Sequence, residues 1–102
     1  MTLGEIISKL SARSDDTFVI YDFANLSPSL NLDRRRIDSP RVFLGYQDRQ
    51  ITIGELLPYL KDKLSEYDNY TNVSIGNRFN GCQIQRINNL HPDFVIIYTK
   101  FQ

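Results

Sequence analysis

Cysteine and histidine each occur once, at Cys82 and His91, and tryptophan does not occur at all in the 102 residues. One cysteine excludes an intrachain disulfide and a multi-cysteine zinc site, and one histidine excludes paired-histidine metal spacings. Charge of one sign is missing too, because twelve Lys and Arg balance twelve Asp and Glu. No global field steers such a chain to nucleic acid or an anionic membrane, so neither partner is expected. No apolar run approaches the roughly 18–20 residues of a membrane span. The N-terminus shows no basic segment leading into an apolar one, so secretion is not expected. Gly-x-Gly-x-x-Gly and Walker-type loops are absent from the sequence, which sets aside dinucleotide-dependent and ATP-hydrolysing enzymes.

What is present is a folding composition, 41% hydrophobic and 12% aromatic. The length suits one cytosolic domain over residues 1–102 and leaves no room for separate catalytic and regulatory domains. Within it a pattern recurs. Thr2-Leu3-Gly4-Glu5-Ile6-Ile7 followed by Leu10 returns as Thr52-Ile53-Gly54-Glu55-Leu56-Leu57 followed by Leu60. In each copy Thr with Glu three residues later predicts a capping box, and the apolar residues at i, i+3, i+4 and i+7 predict a helix with one buried face. Pro58 lies inside the second helix and removes one of its backbone bonds.

Strand patterns follow each helix. Thr17 to Phe23, Arg41 to Gln47, Asn72 to Gly76, Cys82 to Ile87 and Phe94 to Lys100 are rich in β-branched and aromatic residues. The expected fold is α+β: two helix–strand–strand repeats, residues 2–47 and 52–100, with one extra strand in the second. Together they form a mostly antiparallel sheet with both helices packed on one face.

Few residues suggest chemistry. Cys82 and His91 would make a nucleophile and base if the fold joined them, although no catalytic signature surrounds either. Asp22 ends an apolar run, where a strand feeds a loop; it is a candidate ligand contact, or a cap of the following turn. Gly4 and Gly54, in the first helical turns, point to close approach of either a ligand or neighbouring backbone. The stretch from Ala24 to Pro40 is read as a long connection and a binding loop. It carries Arg34, Arg35 and Arg36, with Arg41 just beyond, and arginine forks suit phosphate or carboxylate. Asp33 and Asp38 flank the cluster and can neutralise it. Tyr46 and Arg78, with Tyr21, would join this site if their segments are neighbours, the rings stacking a base. No catalytic residue, metal or cofactor is assigned.

Thr2-Leu3-Gly4-Glu5, the strand end Tyr21-Asp22-Phe23, an Arg-containing stretch before Gly45-Tyr46, and Thr52-Ile53-Gly54-Glu55-Leu56-Leu57 occur in that order. This order resembles a family of small, uncharacterised bacteriophage and prophage proteins with repeated T-x-G-E-L helix starts. The chain departs from that pattern at Ser39-Pro40-Arg41-Val42 and at Asn77-Arg78-Phe79-Asn80-Gly81. The resemblance implies a phage-encoded accessory protein in the cytoplasm of the infected cell. On that footing two functions are expected. One is a non-enzymatic inhibitor that binds a host or anti-phage defence protein directly; the other is a binder that sequesters an anionic nucleotide signal. A hydrolase built on Asp22 or on Cys82 with His91 is the minor alternative. An exposed strand edge or a seam between the halves would favour a homodimer.

Overall fold

The computed structural model describes residues 1–30, 42–75 and 82–101. Helix α1 spans Leu3–Ser11 and α2 spans Ile53–Asp62, continued by a 3-10 turn at Lys63–Ser65. The strands are β1 Phe18–Tyr21, β2 Ser27–Ser29, β3 Val42–Gln47, β4 Ile51–Thr52, β5 Val73–Ile75, β6 Cys82–Asn88 and β7 Phe94–Phe101. They form one sheet in the order β2-β3-β5-β6-β7-β1-β4. The pairs β2/β3, β5/β6, β6/β7 and β1/β4 are antiparallel, whereas β3/β5 and β1/β7 are parallel. The α+β class, with two helices packed on a mostly antiparallel sheet, is the one expected.

Two details differ from expectation. Strand β2 lies inside the stretch read as a long connection, and the short β4 precedes α2, so among the described residues four strands separate the helices where two were expected. Strand β2 also ends the strand order, yet the chain there folds back against β1. The Tyr21 N–H donates to the Leu26 carbonyl at 2.8 Å. The buried Ser27 hydroxyl donates to the Val19 carbonyl and accepts from the Ile51 N–H at 3.1 Å. A serine side chain thus bridges two buried backbone groups at the β1/β4 pair.

The helices supply one wall of the core. Leu3, Ile6 and Leu10 of α1 and Ile53, Leu56, Leu57 and Leu60 of α2 are buried in a single cluster. That cluster includes the inward residues of the strands, such as Val19, Leu44, Ile75, Ile84 and Ile97. Each helix start is pinned by backbone from the other half of the chain. The Leu3 and Gly4 N–H groups donate to Thr71 and Asn69 carbonyls at 2.8 and 3.0 Å. The Ile53 and Gly54 N–H groups donate to Thr17 and Asp15 carbonyls at 2.9 and 2.8 Å. The capping box is present at Thr2 and Glu5. At α2 it is not: Thr52 makes no side-chain cap bond, and Glu55 accepts from Arg49 at 3.1 Å instead. Among the described residues no helix is long and apolar enough to cross a membrane.

Candidate functional site

Alternation along β1 turns Tyr21 inward, and the residue two positions on, Phe23, follows on the same side. The two rings stack flat, with centroids 5.1 Å apart and planes 4° from parallel. The Tyr21 hydroxyl donates to the Gly45 carbonyl of β3 at 2.7 Å, which fixes the inner ring to the neighbouring strand. The next residue on β3, Tyr46, meets Phe23 edge-on at 6.3 Å. Tyr46 is 53% exposed. The three rings therefore run from the core to the surface, with a half-exposed tyrosine at the outer end. Offset and edge-on ring pairs of this kind contribute about 0.5–1.5 kcal/mol each beyond area burial.

The turn beside these rings is strained. The Leu26 N–H donates back to the Phe23 carbonyl at 3.2 Å, closing a turn whose central residues are Ala24 and Asn25. Both have positive φ, 53° and 54°, as in a type I′ turn. Asn tolerates that region; Ala gives up about 1–2 kcal/mol to occupy it. The conformation persists because both sides are tied down. The Asp22 N–H donates to the Ile97 carbonyl at 3.0 Å, and the Asp22 carboxylate accepts from the Thr99 hydroxyl at 2.7 Å and its N–H at 3.3 Å. Asp22 thus ties the end of β1 to β7, rather than capping its own turn.

Of the residues singled out from the sequence, the structure brings Asp22 and Tyr46 to one end of the sheet, on either side of Phe23. Tyr21 joins them as the buried inner ring, out of reach of a ligand. Arg34, Arg35, Arg36, Arg41 and Arg78 lie outside the described residues. Sequence reasoning missed Phe23, whose signal is its spacing of two from Tyr21 at a strand end. The glycines resolve in favour of backbone. A Cβ on Gly4 would sit 2.9 Å from the Asn69 Cβ, and one on Gly54 would sit 3.1 Å from the Asp15 carbonyl oxygen. The leading amides of both helices are spent on those loops, so neither start is free to hold an anion.

A Cys82–His91 pair is ruled out by the register. Cys82 opens β6 and His91 lies beyond its other end. The six strand residues that follow Cys82 carry the chain about 20 Å from it. The His91 Nδ1 also accepts from the Asp93 and Phe94 N–H groups at 3.2 and 3.3 Å, which makes the imidazole part of the turn into β7. Among the described residues no group of three or more His, Cys, Asp or Glu side chains is placed to hold a metal ion. No family model matches the chain, and neither a curated protein nor a solved structure matches it.

Proposed function

We propose that this is a non-enzymatic binding protein that inhibits its target by direct contact, with Tyr46 as the anchor. The target class is the one the sequence resemblance implies, a host or anti-phage defence protein in the bacterial cytoplasm. The observation that carries the reading is the exposed Tyr46 ring, braced edge-on by Phe23. An aromatic side chain that already rests against a neighbouring ring gives up less entropy on binding than a free one, and tyrosine anchors are enriched among the residues that dominate interface energetics. Ser27, Asp22 and His91 are engaged in holding backbone, which supports a scaffolding part for them.

A face of Tyr46 also suits a nucleobase, so the nucleotide-sequestering reading makes its own prediction. The test is tagged purification from infected cells followed by mass spectrometry under native and then denaturing conditions, with Tyr46→Ala alongside. A stoichiometric protein that accompanies the wild type and is lost from Tyr46→Ala supports the inhibitor reading. A nucleotide released on denaturation from the wild type alone would replace it with sequestration. Consumption of a small molecule by the purified protein would overturn both.

A further inference from the structure

The outward face of β1 and β7 is apolar where a curled sheet ordinarily shows polar residues to water. In the parallel β1/β7 register Phe18 pairs with Phe94 and Ile20 with Ile96, while Val19, Tyr21, Val95 and Ile97 turn inward and are buried. Phe18 is 40% exposed, and Phe94, Ile20, Ile96 and Tyr98 are each partly exposed along the same face. Asn88 of β6 extends the Ile96 row, and Arg86 extends the Tyr98 row. The Arg86 guanidinium lies over the Tyr98 ring at 4.0 Å. Asp22, which follows the Tyr21–Ile97 pair, stands level with Tyr98 on the other side of β7. One row of the face therefore reads Arg86, Tyr98, Asp22, a base and an acid on opposite flanks of an aromatic.

Neither charge has an opposite partner among the described residues: Asp22 accepts from Thr99 alone, and Arg86 meets a ring. A surface that covers this patch has to place an acid over Arg86 and a base over Asp22. The chain itself meets both requirements. A twofold axis lying in the interface along β7 sets Phe94, Ile96 and Tyr98 against their own copies, and sets β6 of one protomer over β1 of the other. Arg86 of each protomer then faces Asp22 of its partner, twice by symmetry, and the Phe18 and Phe94 rings are withdrawn from water together. We infer that the outward face of β6, β7 and β1 is a homodimer interface, closed by two reciprocal Arg86–Asp22 ion pairs around an apolar centre. An isologous face of this kind is self-complementary by construction. Because β3 and β7 run the same way, the axis leaves both Tyr46 ends at one end of the dimer. The inference does not depend on what Tyr46 binds.

Sedimentation equilibrium across the micromolar range tests it. The wild type is expected at twice the 11.9 kDa chain mass. Ile96→Arg is expected at the monomer mass with an unchanged circular dichroism spectrum. Should Ile96→Arg unfold, Phe18→Ser carries the same test from the most exposed position of the patch. The symmetry itself is tested by charge reversal. Arg86→Asp alone and Asp22→Arg alone each place like charges together and should be monomeric, while an equimolar mixture of the two pairs every acid with a base and should dimerise. A monomeric wild type at every concentration, a dimer that survives Ile96→Arg or Phe18→Ser, or a mixture no more associated than its components would overturn the assignment.

Discussion

The hydroxyl of Tyr59, on the half-buried side of α2, is shielded from water and has no hydrogen-bond partner among the described residues. Burial, and secondarily the nearby Tyr67, push its pKa up from the ordinary 10.0 to about 12. The sign follows from linkage: in the unfolded chain the phenol loses its proton near its ordinary value, while the folded protein retains it. The stabilisation is therefore complete below pH 10 and is lost as the pH rises through the folded value. Tyr59→Phe removes the unpaired hydroxyl and leaves the ring beneath Lys63. It should match or exceed wild-type stability by about 1 kcal/mol at neutral pH, and flatten the fall of the thermal midpoint in the alkaline range. A clear loss at neutral pH in calorimetry would show that the hydroxyl has a partner. At the candidate site, by comparison, single residues were readable and their roles were not. Asp22 and Tyr46 stand out as a polar strand end and an aromatic beside glycine. That Asp22 serves Thr99, seventy-seven positions away, depends on a strand pairing that no local pattern encodes.

At the scale of elements, the helix starts give the sharpest expectation. Alanine is a better helix former than glycine by about 1 kcal/mol, so Gly4→Ala and Gly54→Ala should stabilise the protein if propensity decided the matter. The Cβ of each would press into Asn69 or Asp15 at contact distances that force backbone to move. Each substitution should instead lower stability by about 1–3 kcal/mol in chemical denaturation. A gain in either variant would mean that the docking loop yields. The same starts show the limit of motif reading. Both copies carry Thr and Glu three apart, but only Thr2 caps its helix, because Arg49 competes for Glu55 in the second. Strands β1, β3, β5, β6 and β7 were visible in their β-branched and aromatic runs. Strand β2, Ser27-Pro28-Ser29, has no such residues. It is a strand because its neighbours pair with it, and tertiary context of that kind leaves no trace in a local window.

At the scale of the molecule, fold class was legible from the order of periodicities, while the two parallel pairings and the folding of β2 against β1 were not. The tie between β2 and the β1/β4 end rests on Ser27. Removing its hydroxyl takes one hydrogen bond from the Val19 carbonyl and one from the Ile51 N–H. Ser27→Ala should therefore destabilise by about 1–3 kcal/mol, the cost of two buried hydrogen bonds. Ser29→Ala, on the same strand, provides the comparison; equal losses would place the effect in β2 generally. Tyr46 is positioned by the same end of the sheet, through Tyr21 on Gly45 and Phe23 against both rings. The most direct test of the account is calorimetric titration of the protein captured from infected cells against wild type and Tyr46→Ala. A stoichiometric complex should weaken at least about tenfold on loss of the ring, while the free variant stays folded and loses only the few degrees of thermal midpoint that the Phe23 contact supplies. Equal affinity for wild type and Tyr46→Ala would contradict it.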